Sequence, residues 1–126
     1  MVQTGPPRVL IVDDSAFMRS RIHRDLAGAG FEVVGEARNG QEAAQLYASL
    51  RPDLVTMDLT MRDHDGIEGA SAILATDPCA RIVLFSIVDD PAAVAEALGT
   101  GIRAYVHKGA PAELIQRLRE LAHAEG

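Results

Sequence analysis

Cysteine occurs once, at Cys79, tryptophan is missing, and the remaining aromatic residues are two tyrosines and three phenylalanines. One thiol excludes an internal disulfide framework, and so few rings leave little surface for stacking bases or planar cofactors. An excess of basic charge is also lacking, since 12 Lys and Arg stand against 18 Asp and Glu for a formal net charge of -6. That balance provides no electrostatic footprint for nucleic acid or for an anionic membrane. Long hydrophobic runs are absent too. The N-terminal region offers only Val9-Leu10-Ile11-Val12 before two acids, so no signal peptide or membrane span is expected and the cytoplasm is the default location. Repeats and low-complexity tracts do not occur.

What remains is a chain of 126 residues, 48% of them apolar, which suits one domain with a sizeable core. Residues 1–7 are expected to be a frayed leader and residues 8–126 a single domain. Ala124-Glu125-Gly126 is compatible both with a chain end and with the start of a linker to an effector domain. Short apolar runs alternate five times with segments of helical period. Strands are expected at 8–12, 32–36, 53–57, 81–85 and 103–106. The last helical segment is the clearest: Leu114, Ile115, Leu118, Leu121 and Ala122 share one face, Pro111 suits a first turn, and Arg117, Arg119 and Glu120 face water. Ser15, Asn39 and Asp90 stand where helix N-caps belong, and Gly30 and either Gly99 or Gly101 stand where a helix end needs a left-handed residue. Strict β-α alternation implies right-handed crossovers and a parallel sheet covered on both faces. The expected architecture is a flavodoxin-like doubly wound α/β fold with strand order 2-1-3-4-5.

In such a sheet the residues following the strands line one edge. The first run stops at Asp13-Asp14 and the third, Leu54-Val55-Thr56-Met57, stops at Asp58. These two strands are neighbours in the expected order, so three carboxylates converge at the switch point. Crowded carboxylates repel one another, and a hard divalent cation with oxygen ligands relieves that repulsion. The fourth run ends at Ser86 and the fifth leads through His107 to Lys108, which adds a hydroxyl and an ammonium. Any one acid after a strand is commonly no more than a turn cap. A doubled acid, a single acid, a serine and a lysine at four successive strand ends form a site suited to a phosphoryl group.

The stretches Val-Leu-Ile-Val-Asp-Asp-Ser, Pro-Asp-Leu-Val-Thr-Met-Asp-Leu-Thr-Met, Asp-Gly-Ile-Glu and Tyr-Val-His-Lys resemble the receiver domains of two-component response regulators over residues 8–122. Asp-Ser-Ala-Phe-Met-Arg and Val-Val-Gly-Glu-Ala are most similar to chemotaxis-type receivers. The resemblance implies that Asp58 accepts a phosphoryl group from a histidine kinase or phosphotransfer protein. It implies Mg²⁺ held by Asp14, Asp58 and the backbone carbonyl of Thr60, with Asp13 acting mainly through a bound water. Lys108 and Ser86 would stabilise the phosphoryl oxygens. Tyr105 would be the aromatic switch, and an output partner would read the face made by the fourth helix, fifth strand and fifth helix. The domain would be a signalling switch that assists its own phosphoryl transfer and hydrolysis, not a metabolic enzyme. For Tyr105 the plain alternative is a half-buried ring with its hydroxyl in water.

Three positions depart from the family pattern. Arg62 replaces the usual proline after Met61, removing a φ restraint and adding a cation near the site. Gly109 replaces a proline often found in a cis peptide after the lysine, so a trans bond is expected. Ile87 replaces a small residue after the hydroxyl residue, where a β-branched side chain would narrow entry to the phosphate pocket; the plain alternative is that it points into the core. Ile87 and Arg62 also motivate a second reading, a receiver-like interaction module that is not phosphorylated. A flavin-binding module on the same fold would need a hydroxyl-rich phosphate loop and flanking aromatics that are not present. Asp63-His64-Asp65-Gly66 resembles a phosphatase Asp-x-Asp-Gly signature but does not follow directly on a strand. As an EF-hand loop it fails at Met61 and Ala72. Asp65-Gly66 is therefore expected to be a turn into the third helix. His23, His64, His107 and His123 lack a metal-ligand spacing and are expected at the surface, with Cys79 an ordinary loop or edge thiol.

Overall fold

The computed structural model describes residues 5–59 and 66–123. Strands β1 (Arg8–Val12), β2 (Glu32–Ala37), β3 (Leu54–Met57), β4 (Ile82–Ser86) and β5 (Ala104–His107) alternate with helices α1 (Ala16–Gly28), α2 (Gly40–Leu50), α3 (Gly66–Thr76), α4 (Pro91–Gly99) and α5 (Pro111–Ala122). The strands form one parallel sheet in the expected order β2-β1-β3-β4-β5. The continuous apolar runs follow from burial on both faces. Val9, Ile11, Leu54, Val83, Phe85 and Val106 point to one face and pack against Ile22 and Leu26 of α1 and Leu114 and Leu118 of α5. Their neighbours Leu10, Val12, Val55, Met57, Ile82 and Leu84 point the other way, against Ala43 and Tyr47 of α2, Ala70 and Ile73 of α3 and Ala97 of α4.

The helix signals act as their chemistry requires. Ser15 Oγ accepts from the Met18 N–H at 3.2 Å, Asn39 Oδ1 from the Glu42 N–H at 2.8 Å, and Asp90 Oδ1 from the Ala92 N–H at 3.2 Å. Each satisfies a backbone donor that the first helical turn leaves open. Gly30 (φ +94°) and Gly101 (φ +110°) take left-handed conformations, whereas Gly99 stays within α4. One left-handed residue carried no sequence cue: Arg51, at φ +47°, ends α2, and its carbonyl accepts from the Arg8 guanidinium at 2.9 Å.

The strand boundaries matter at the functional edge. β3, β4 and β5 each start one residue later than expected, and β4 and β5 each run one residue further. Ser86 and His107 therefore lie opposite each other in the ladder as paired strand residues rather than beyond it. β2 likewise reaches Ala37, whose carbonyl accepts from the Asp13 N–H at 3.0 Å.

Candidate functional site

Val12 and Met57 are register partners on adjacent strands, so Asp13 and Asp58 leave the sheet side by side. Backbone bonds continue past the strand ends and fix both residues: the Asp58 N–H donates to the Val12 carbonyl at 3.0 Å, and the Asp13 N–H is tied to β2. Asp13 is 1% exposed and Asp58 3%, while Asp14 is partly buried. One carboxylate oxygen from each of the three acids lies within 4.8 Å of the other two. The expected acidic cluster is present.

Lys108 reaches the same point from the end of β5. Its Nζ lies 2.7 Å from Asp13 Oδ2 and 3.2 Å from Asp58 Oδ2. The Lys108 N–H donates to the Ser86 carbonyl at 2.9 Å, which anchors the base of the side chain to β4. Asp13 has further support, because Oδ1 accepts from the Ser15 N–H at 2.9 Å and its carbonyl accepts from Arg19 Nη1 at 2.7 Å.

Burial is the largest influence on the Asp13 carboxyl and pushes its pKa above the ordinary 3.8; the Asp58 charge adds to the rise, while Lys108 and the Ser15 N–H oppose it. Burial also works against a charged Lys108. The hydrogen bond with Asp13 and the fields of Asp58 and Asp13 outweigh it and hold the ammonium above its ordinary range. A lysine with such partners remains cationic, and the acids remain crowded enough to favour a dication with oxygen ligands.

Ser86 is fully buried, with its hydroxyl accepting from the Val88 N–H at 3.4 Å. It is not a helix cap, a role that Asp90 fills for α4. The Tyr105 ring packs against the core beneath α2, α3 and α4, and its hydroxyl donates to the Ser86 carbonyl at 3.2 Å. The ring is half-buried, as the plain alternative has it, but the hydroxyl has a protein partner. Ile87 is 63% exposed, which excludes the alternative of a core-facing side chain. Ser86, the last residue of β4, is buried, and Ile87 in the bend that follows is exposed. No cis peptide occurs among the described residues, so Gly109 follows Lys108 through a trans bond.

Thr60, Met61, Arg62, Asp63, His64 and Asp65 lie outside the described residues. His23, His107, His123 and Cys79 are exposed, as expected. Two further residues, given no role in the sequence reading, contribute to the site. Arg19, one turn into α1, braces the Asp13 backbone and pairs through Nε with Glu36 of β2 at 3.3 Å. Gly66 opens α3 directly against the backbone of Asp58. Both stand in stretches that carry the family resemblance, Asp-Ser-Ala-Phe-Met-Arg and Asp-Gly-Ile-Glu, but their residue types alone also fit an ordinary surface cation and a turn glycine. No helix among the described residues is long and apolar enough to cross a membrane.

A family model described as the response regulator receiver domain matches residues 9–119. Chemotaxis protein CheY of Thermotoga maritima is 41% identical over 116 residues, covering 91% of this chain and 97% of that protein. A protein-glutamate methylesterase/protein-glutamine glutaminase of Nocardioides is 47% identical over 117 residues, covering 90% of this chain but 32% of that longer protein. Among solved structures, the CheX-CheY-BeF3-Mg complex of Borrelia burgdorferi superposes with a TM-score of 0.88 at 32% identity, covering 93% of this chain and 90% of that one. With the sheet order, the strand-end acids and these likenesses in agreement, the chain belongs to the CheY-like response regulator receiver domains, the phosphorylation-controlled signalling switches of two-component systems.

Proposed function

We propose that Asp58 is the phosphoacceptor of this receiver and that a histidine kinase or histidine phosphotransfer protein supplies the phosphoryl group. The observation that carries this reading is a buried Asp58 carboxylate with Lys108 Nζ 3.2 Å from Oδ2, set beside two further acids. An Asp58 oxygen attacks phosphorus, forming an acyl phosphate P–O bond as the P–N bond to the donor histidine breaks. Lys108 moves its ammonium from the carboxylates to a phosphoryl oxygen, and the Ser86 hydroxyl, whose oxygen accepts from Val88, donates its own hydrogen to another. Both interactions strengthen as charge gathers on those oxygens.

The donor set fits Mg²⁺, since hard carboxylate oxygens of three acids converge and burial already disfavours the charge of Asp13. Asp14, Asp58 and the Thr60 carbonyl would hold it, with Asp13 alongside. When bound, the cation offsets the negative charge of the acids and of the incoming phosphoryl group. The solved Borrelia relative, whose complex includes BeF3 and Mg, supports this reading.

Tyr105 carries the signal outward. Its hydroxyl is bonded to the Ser86 carbonyl, so a Ser86 that turns toward a phosphoryl group disturbs that contact and changes the α4-β5-α5 face seen by an output partner. The exposed Ile87 side chain would narrow the entry and set how readily donor and water arrive; Arg62, the other departure from the family pattern, would add a cation to the chemistry of the site. The chain would act in the cytoplasm, without binding nucleic acid or membrane by itself.

Acetyl phosphate and Mg²⁺ should add one phosphoryl mass to the intact protein, and Asp58→Asn should abolish the addition because an amide is a poor nucleophile. Labelling retained in Asp58→Asn would place the acceptor elsewhere. An unlabelled wild-type chain would favour the interaction module that works without phosphorylation.

A further inference from the structure

The turn after β5 aims Lys108 into the site, and this chain closes it in its own way. The Ala110 N–H donates to the His107 carbonyl at 2.9 Å, making a β-turn with Lys108 and Gly109 at its centre. Inside the turn the Gly109 N–H donates to His107 Nδ1 at 2.9 Å. This is the bond that an Asn or Asp at the first turn position makes to the N–H two residues on. A proline at 109 would have no N–H to give. Any Cβ at 109 would lie 3.1 Å from Nδ1 and 3.5 Å from Cε1, so glycine also leaves room for the ring. The absent proline and the histidine two residues earlier therefore belong to one arrangement.

We propose that His107 is a positioning residue for Lys108, its neutral imidazole latching the turn through Gly109 and releasing it on protonation. The inference rests on the role proposed above for Lys108 in phosphoryl transfer. Nδ1 accepts only in the tautomer that carries its proton on Nε2, and the imidazolium has no acceptor at all. Histidine is the side chain that makes this change between about pH 5 and 8. The elements around the turn carry Asp89, Asp90 and Glu96 near α4, Arg103 just before β5, Glu113, Arg117, Arg119 and Glu120 on α5, and Arg21 and Asp25 of α1, which line a pocket with Lys108 and Pro111. Among the described residues none of these ion-pairs with His107, and the Lys108 ammonium is turned to Asp13 and Asp58. Loss of the latch frees the two central residues of the turn, so Lys108 spends less time where a phosphoryl oxygen arrives.

The test compares the wild type with His107→Asn, whose side-chain oxygen accepts from the same N–H without titrating, and with His107→Leu, which cannot accept. Rates of labelling by acetyl phosphate with Mg²⁺ are taken from about pH 5.5 to 8. Ratios to His107→Asn cancel the titration of the donor and of the site acids. The wild type should match His107→Asn at the alkaline end and fall about three- to tenfold below it at the acid end, the worth of one hydrogen bond. His107→Leu should be slow throughout. A ratio of wild type to His107→Asn that does not change with pH, or a His107→Leu as fast as the wild type, overturns the proposal.

Amide NMR on the intact chain without any donor reads the latch directly. The Gly109 amide and the Lys108 resonances should follow the His107 titration in the wild type and stay still in His107→Asn; resonances that ignore that titration overturn the latch. A chain that accepts no label at any pH would instead defeat the phosphoacceptor assignment, and the NMR titration would still decide the latch.

Discussion

Gly66 packs so closely on the backbone of Asp58 that a Cβ at position 66 would sit 2.5 Å from the Asp58 carbonyl oxygen and 3.1 Å from Leu59 Cα. Backbone atoms cannot swing aside as a flexible side chain does. Gly66→Ala must therefore push α3 away from the end of β3 or shift the carboxylate it supports. Overpacking of this kind costs about 1–3 kcal/mol, so denaturant melts should show a loss in that range. Phosphorylation should slow as well, since Asp58 would be displaced from Lys108. A variant as stable and as reactive as the wild type would mean that α3 yields at no cost.

The acids have a stability consequence with a definite sign. Burial, the largest influence, raises the Asp13 pKa above 3.8 in the folded chain, so the folded state binds the proton more tightly than the unfolded chain does. In metal-free buffer, stability should therefore fall as pH rises from about 4 through the elevated folded pKa. Lys108 behaves in the opposite range. Its raised folded pKa makes its contribution complete below 10.5 and lost only as pH climbs beyond that value, so it leaves the acid window untouched. Asp13→Asn should raise the metal-free melting temperature at neutral pH and flatten the slope in the acid range. Thermal melts across pH measure both, and a steeper slope in the variant would reverse the assignment of the buried charge.

How much of this was legible follows from what each residue must satisfy. The strands could be read because a strand buried on both faces has to be apolar throughout, and Asp13, Asp58, Ser86 and Lys108 could be read because a parallel sheet brings its strand ends to one edge. The caps were readable since Ser15, Asn39 and Asp90 carry the only kind of side chain that satisfies the first-turn donors. Arg51 was hidden because an arginine in a left-handed turn leaves no compositional mark. Gly66 was seen as a turn residue, but its packing against Asp58 depends on where α3 begins, which no local pattern specifies. The inward Tyr105 ring and the His107–Gly109 contact depend on side-chain geometry, and a pattern of residue types does not contain it.

Metal should stabilise the fold through the same cluster. Anything that binds only the native state adds RT ln(1 + [L]/Kd), about 2.7 kcal/mol at a hundredfold excess over Kd. Mg²⁺ at millimolar concentration should raise the melting temperature, and Asp14→Ala should reduce the increment by removing a charged oxygen donor. Titration calorimetry and thermal melts check the pair. A wild-type chain indifferent to Mg²⁺, or an Asp14→Ala with undiminished affinity, would refute the acids as its ligands.

Ile87 provides the sharpest separation of chemistry from stability. With 63% of its surface exposed, its truncation removes little buried area, so Ile87→Ala should change stability by no more than about 0.5 kcal/mol. Leu118, fully buried between α5 and the sheet, is the contrast, and Leu118→Ala should cost about 2–5 kcal/mol. If the isoleucine narrows the route to Asp58, its removal should speed phosphorylation by acetyl phosphate and hydrolysis of the acyl phosphate together, because donor and water use one entry. Mg²⁺ affinity should hold steady, since the three carboxylates keep their places. Rates measured beside melting curves decide the matter: unchanged labelling and hydrolysis in an equally stable Ile87→Ala would show that the side chain guards nothing.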